Sequence, residues 1–215
     1  MEKSHGLEHL LPEEIEKRSF EIITAELIDR GIMLPQDEEM VTKRVIHTSA
    51  DFDYAKTLRF SKDAVAIAKK LLSDGADIVT DTNMALAGIN KKVLAQFGGK
   101  VHCFMADEEV ASLAKVRKTT RAAISMEKAS QIEKPVIFAV GNAPTALIQL
   151  YEMINTMDWK PAFIIGVPVG FVNVEDAKEL VLETDVPYIV NIGRKGGSNV
   201  AAAICNALLY ELRNE

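Results

Sequence analysis

From residue 76 onward the chain alternates short, continuously apolar runs with amphipathic stretches. The runs are ADIVT (76–80), VHCFM (101–105), PVIFAV (135–140), AFIIG (162–166) and PYIVN (187–191). None of them alternates apolar with polar residues, which is the pattern of strands buried on both faces of a parallel sheet. Each is followed by a turn rich in Gly, Asn, Pro or Thr and then by a helix-like segment. Pro144 sits just inside the helix after GNA, and Ser198 or Asn199 opens the last helix. The pattern predicts a five-stranded, mainly parallel sheet in a three-layer, doubly wound α/β arrangement.

Ahead of the first run the periodicity is helical. Residues 12–30 predict a helix with Pro12 near its start, Glu13 and Glu14 in the first turn and Arg30-Gly31 at its end. Residues 36–47 predict a second helix, and a third runs from Ser61 as N-cap to Leu72, ending at Gly75. A chain of 215 residues then reads as one domain, with helical residues 1–75 packed on an α/β core over 76–215.

Composition works by exclusion. Hydrophobic residues at 48% and charged ones at 26% describe an ordinary globular protein. A net charge of -6, a pI near 5.4 and the lack of a basic stripe argue against nucleic-acid binding, so an anionic ligand has to be held by local groups. The N-terminus has no apolar core after a basic start, and AFIIGVPVGFV is too short and glycine-broken to span a bilayer, so a cytoplasmic protein without membrane association is expected. Cys103 and Cys205 lie in a strand-like and a helix-like run; no disulfide framework is indicated, and both are expected reduced and buried.

Ligands of open α/β sheets bind beyond the carboxyl ends of the strands, which singles out TDTNM, MADEE, GNAPT, GVPVGF and NIGRKGGSN. GNAPT and GRKGGSN read either as anion cradles or as tight turns. Neither has the spacing of a nucleotide-phosphate loop, which disfavours a nucleotide-binding regulator. There is no G-x-S-x-G elbow and no cysteine in an activating context. His5 and His9 supply only two ligands in a terminal segment, and His102 and Cys103 point to opposite faces of a strand, so no metal site built from protein ligands is expected. His47 in RVIHTSADFDY remains, as an acid-base group or as a polar capping residue. Asp51, Asp53 or Tyr54 is close enough in sequence to orient its imidazole, although a capping role for the aspartates is preferred. Asp81 and Asn83 either line a pocket or start a helix.

Taken together, RVIHTSADFDY, DTNMALAGI, TRAAISM, GNAPTAL, GVPVGFVNVEDAKE and GRKGGSNVAAAICNAL resemble the precorrin-8X (cobalt-precorrin-8) methylmutase family, in order from RSFEII at residues 18–23 to the last helix. The resemblance implies an isomerase of cobalamin biosynthesis that moves a methyl group from ring carbon 11 to ring carbon 12 of a corrin precursor, giving hydrogenobyrinate or cobyrinate. It further implies a flavodoxin-like or Rossmann-like fold, a homodimer and no organic cofactor, any cobalt being part of the substrate. The family's catalytic histidine falls on His47, and its substrate-contacting serine and arginine on Ser19 and Arg44. One departure is Ala50, where many relatives carry glycine. Such a shift needs no nucleophile or redox partner; it needs the macrocycle held still and a ring nitrogen protonated, for which one histidine suffices. The rim carboxylates of a corrinoid would draw on Arg44, Arg117, Arg121, Arg194 and Lys195, with Asn83, Asn142, Thr145, Gly196 and Gly197 as further contacts from the loops. The alternative is a noncatalytic tetrapyrrole carrier, which would tolerate loss of His47.

Overall fold

A computed structural model describes residues 10–214; His5 and His9 lie outside the described residues. Six strands form one sheet: β1 (Leu58–Phe60), β2 (Asp77–Thr80), β3 (Val101–His102), β4 (Val136–Val140), β5 (Phe163–Gly166) and β6 (Tyr188–Asn191), in the spatial order β1-β6-β5-β4-β2-β3. The five strands expected from the apolar runs are β2 to β6, and all pair in parallel. Eleven helices accompany them among the described residues: α1 (Pro12–Asp29), α2 (Glu39–Ser49), α3 (Tyr54–Thr57), α4 (Ala64–Ser73), α5 (Asn83–Gly88), α6 (Lys91–Gln96), α7 (Glu108–Arg117), α8 (Arg121–Ala129), α9 (Pro144–Thr156), α10 (Val174–Leu182) and α11 (Ser198–Asn214).

The sixth strand corrects the expectation of five. Leu58, Arg59 and Phe60 pair antiparallel with Asn191, Val190 and Ile189 at the sheet edge. Three residues with a charge in the middle are too few to show a period, so the segment is silent in sequence. Ser61 does not cap a helix as expected: its N–H donates to the Tyr188 carbonyl at 3.0 Å and its hydroxyl accepts the Tyr188 N–H at 2.9 Å, continuing the ladder. The following helix starts only at Ala64, after Asp63 in the left-handed region. The segment before residue 76 thus contributes to the sheet as well as packing on it.

Side-chain alternation along each strand builds a core on either face of the sheet. From β4, Ile137 and Ala139 join Val41, Val45 and Ile46 of α2 and Val200, Ile204 and Leu208 of α11, while Val136, Phe138 and Val140 join Met126 of α8, Leu147 and Leu150 of α9 and Val181 of α10. Each such large side chain contributes about 1.5–3 kcal/mol by leaving water. The alanine-rich helix α11 is buried along Val200 to Ile204 and again over Ala207 to Leu209, its small side chains admitting the sheet on one side and α2 and α5 on the other.

Where the strands end, backbone groups leave the ladder inside the protein, and buried polar side chains take over their hydrogen bonds. Asp81, fully buried after β2, accepts the N–H groups of Gly141 (2.9 Å), Asn142 (2.8 Å) and Ala143 (2.6 Å) after β4. Burial pushes its pKa up, against the opposing pull of these three donors. Those N–H groups, expected to face an anionic ligand, are therefore occupied by the protein's own carboxyl group. Lys178 of α10, also fully buried, donates to the carbonyls of Gly193 (2.6 Å) and Lys195 (2.8 Å) after β6. The same loop folds onto the one after β5: a Cβ on Gly196 would stand 2.1 Å from the Val167 carbonyl oxygen, and the Gly197 N–H donates to that oxygen at 2.9 Å.

Two outcomes follow from these buried charges. Asp81→Ala strands three donors and should cost roughly 3 kcal/mol, read as a lower urea midpoint with far-UV circular dichroism retained. Burial lowers the Lys178 pKa from the ordinary 10.5 to about 8. The folded state therefore releases this proton first, and between pH 8 and 10.5 the unfolded chain binds more protons than the folded one. Raising pH through that window should stabilise the wild type relative to Lys178→Met by up to ~3 kcal/mol, measured as the difference in unfolding free energy between the two proteins at each pH.

Candidate active site

Helix α2 buries Val41, Val45 and Ile46. Arg44 and His47, three residues apart, are thereby left together on the side facing α1. From α1, Glu16, Ser19, Phe20 and Ile23 fall at i, i+3, i+4 and i+7 and face them. Phe20 is the hinge of this contact. Its ring meets the His47 imidazole edge-on, with centroids 5.5 Å apart and planes at 60°, and lies 4.8 Å from the Arg44 guanidinium carbon. Tyr210 of α11 covers Arg44 from another side at 5.3 Å.

Arg44 is held in an unusual state for a surface-layer cation. Its side chain is only 12% exposed, between two aromatic rings that favour a cation electrostatically. One guanidinium nitrogen donates to Glu16 Oε1 at 2.8 Å, while its buried Nε has no hydrogen-bond partner among the described residues. Glu16 is 56% exposed, and the hydrogen bond from Arg44 holds its carboxyl below the usual range, with the charges of Arg44, His47 and Arg213 acting in the same direction. Two hollows open beside these residues. One of about 660 Å³ is lined by Glu16, Phe20, Arg44, Asn90, Tyr210 and Arg213; the other, of about 400 Å³, by Ser19, Ile23, Arg30, His47, Ala50 and Phe52. His47 is half-buried, and the Ser19 hydroxyl donates to the Ile15 carbonyl at 2.9 Å.

Ser19, Arg44 and His47 are thus brought together around Phe20, and the aromatic pair Phe20 and Tyr210, with Glu16, completes the neighbourhood. These three were not singled out from sequence. The i, i+3, i+4 spacing of Glu16, Ser19 and Phe20 is the signal that could have found two of them; Tyr210 arrives only through tertiary packing.

The remaining candidates lie elsewhere. Arg117 pairs with Glu127 at 2.5 Å, Arg121 opens α8, and Thr145 accepts a hydrogen bond from the Thr120 hydroxyl at 2.9 Å, all on α7 to α9 across the sheet from α2. Asn83 and Asn142 are exposed at the starts of helices or turns beyond β2 and β4. Arg194 pairs with Glu175 at 3.1 Å and lies over Phe171. Gly196 and Gly197 join the loops after β5 and β6. The hollow of about 400 Å³ that His47 lines includes none of these residues.

The residues just past His47 behave differently from expectation. Ala50 has φ 53°, in the left-handed region where glycine would be unstrained. Neither aspartate side chain caps α3. Asp51 Oδ1 accepts the Asp53 N–H at 2.9 Å, and the other carboxylate oxygens both meet Lys195 Nζ at 2.6 Å. Lys195, expected to face substrate carboxylates, is engaged by these two. His102 also has an internal partner, Asp77 at 2.7 Å, and Cys103 is half-buried rather than buried. Among the described residues no three His, Cys, Asp or Glu side chains are placed to share a metal ion, and no helix is long and apolar enough to cross a membrane.

Comparison with known proteins identifies the family. The family model for precorrin-8X methylmutase matches residues 14–211. Cobalt-precorrin-8 methylmutase of Salmonella typhimurium is 44% identical over 208 residues, covering 94% of this chain and 96% of that protein. The Priestia megaterium protein of the same name is 43% identical over 198 residues, covering 92% and 87% respectively. A crystal structure of precorrin-8X methylmutase from Thermus thermophilus superimposes with a TM-score of 0.84 at 37% identity, over 94% of this chain and 98% of that one. The chain belongs to the precorrin-8X methylmutase family.

Proposed function

We propose that this protein is a methylmutase of cobalamin biosynthesis, an isomerase acting on precorrin-8X or its cobalt complex, and that His47 is the acid of the methyl shift from ring carbon 11 to ring carbon 12. The observation that carries the site assignment is the grouping of Ser19, Arg44 and His47 around Phe20, beside open hollows, in a family whose proteins carry this activity by name. A proton from His47 to a ring nitrogen draws electron density from the macrocycle and opens the path for the migrating methyl; the imidazole recovers the proton as the product forms. Arg44, stacked and poorly hydrated, is suited to a rim carboxylate, for which its planar fork provides two parallel donors.

The finer parts of this reading have separate support. The strand order β3-β2-β4-β5-β6 is the order of flavodoxin-like doubly wound sheets. A homodimer is supported by exposed apolar residues along and after α1, among them Ile15, Ile22, Ile28 at 70% and Met33. It would also supply a route for Arg117 or Arg121 of one copy to reach substrate at His47 of another. A cytoplasmic location is supported by the two unpaired cysteines, of which Cys205 has its pKa pushed up to about 12 by burial.

His47→Ala should keep affinity for the corrinoid product while turnover falls by about 10²–10⁴-fold, followed by the absorption change of precorrin-8X or cobalt-precorrin-8. Unchanged turnover would identify a different acid, and binding without conversion in the wild type would identify a carrier. Arg44→Lys should raise KM roughly tenfold with a smaller effect on kcat, because the ammonium loses both the stacking and the fork. In Arg44→Met the Glu16 carboxyl should titrate at higher pH than in the wild type, since the hydrogen bond that lowers it is gone; carboxyl carbon-13 NMR reads this directly.

A further inference from the structure

We infer that Lys195 is a positioning residue for the reaction: its ammonium ties the carboxyl-terminal end of the helix that carries His47 to the loop after β6. The inference rests on the reading of His47 as the acid. Lys195 Nζ stands 2.6 Å from Asp51 Oδ2 and 2.6 Å from Asp53 Oδ2. Asp51 lies four residues past His47, directly after the left-handed Ala50 that ends α2. The last turn of a helix lacks partners for its carbonyls and is the first part to fray, so a histidine in that turn needs an external anchor to keep a fixed place.

Both ends of the tether are themselves held. On the helix side, the Asp51 N–H donates to Ser49 Oγ at 3.3 Å and the Asp53 N–H to Asp51 Oδ1 at 2.9 Å, which presents the two carboxylates in one direction. On the loop side, the Lys195 carbonyl accepts from Lys178 Nζ and from Asn191 Nδ2, each at 2.8 Å. Lys178 and Asn191 are both fully buried. Asn191 Oδ1 in turn accepts the Thr57 hydroxyl at 2.6 Å, and the Ile192 N–H donates to the Thr57 carbonyl at 3.0 Å, so the chain leaving Asp53 returns to the same strand end.

An isolated exposed ion pair contributes little, because ordering two flexible side chains offsets the attraction. Here one lysine meets two carboxylates, and backbone on both sides is fixed by other bonds, so less freedom remains to be lost. The charged groups nearest the tether do not compete for it: Arg194 is paired with Glu175, and Lys178 faces carbonyls. The tether closes one wall of a hollow of about 340 Å³ lined by Ser49, Asp51, Tyr54, Lys195, Gly196 and Asn199, where the end of α2 meets the strand-end loops. With the Thr57 bonds it links the layer that bears His47 to the loops where ligands of such sheets sit.

The test uses the full chain and four variants: Lys195→Met, Lys195→Arg, the pair Asp51→Asn with Asp53→Asn, and that pair combined with Lys195→Met. Turnover of precorrin-8X or cobalt-precorrin-8 gives kcat and KM, and amide hydrogen exchange reports on residues 45–53. Lys195→Met should lower kcat about tenfold with KM changed less than about twofold, Lys195→Arg should restore about half or more, and the triple variant should be no worse than either parent. Exchange over 45–53 should quicken about tenfold in Lys195→Met while β4 and β5 keep wild-type protection. A wild-type kcat in Lys195→Met overturns the inference, as does a rise in KM alone, which would make Lys195 a substrate contact, or a loss that arginine does not restore. The two readings separate cleanly: turnover in His47→Ala removes His47 as the acid, whereas the exchange measurement decides the tether by itself.

Discussion

A parallel sheet ends in loops whose N–H and C=O groups have left the ladder while still inside the protein, and an interior polar group without a partner costs more than most single contacts return. In this chain the cost falls on a few buried polar side chains. Asp81 takes three N–H groups of the loop after β4, Lys178 takes two carbonyls of the loop after β6, and Asn191 shares one of these. Glycine is required where loops pack directly on one another, as at Gly196 against Val167. These loops are therefore a rigid floor, and anything tied to them inherits a fixed position relative to the sheet.

The helical layer presents its chemistry by subtraction. Val41, Val45 and Ile46 of α2 go into the core, and the side toward α1 presents, beside Met40 and Lys43, the pair Arg44 and His47. Phe20 then gives the two residues different surroundings. The guanidinium is enclosed between aromatic rings, whereas the imidazole meets an aromatic ring edge-on and opens onto a hollow. One ring thus separates a guanidinium whose fork suits a carboxylate from an imidazole, a group suited to moving a proton.

How much of this could be read from the chain follows from the range of each signal. Continuous apolar runs marked β2 to β6 because burial on both faces leaves no room for polar residues. The edge strand β1 had too few residues to show a period, and Ser61 carries the same letter whether it caps a helix or extends a ladder. His47, Ser19 and Arg44 were found through motifs, and the structure does bring them together; Tyr210, some 160 residues away, has no local signal. Asp51 and Asp53 looked like caps because short acidic residues before a helix usually are. Their real partner, Lys195, is joined to them only by tertiary structure, and no pattern of spacing reaches that far. Asp81 and Lys178 were legible as charges but not as buried ones, since burial of a charge is decided by what surrounds it.

In an acidic protein any site for a carboxylate has to be built from local groups, and the surroundings of Arg44 show what that entails. Its fork is partly filled: Glu16 takes one nitrogen from the rim of the hollow, while the buried Nε has no partner among the described residues. Any carboxylate that binds there does so in competition with Glu16, so its affinity is a difference between two carboxylates rather than the strength of one ion pair. Glu16 is the more solvated of the pair and gives up little by returning to water, while Arg44 is sunk between rings and would be left as a buried, uncompensated charge if nothing replaced it. The arrangement therefore favours exchange of one carboxylate for another over simple departure, and it does so with Arg44 held in place throughout by Phe20 and Tyr210.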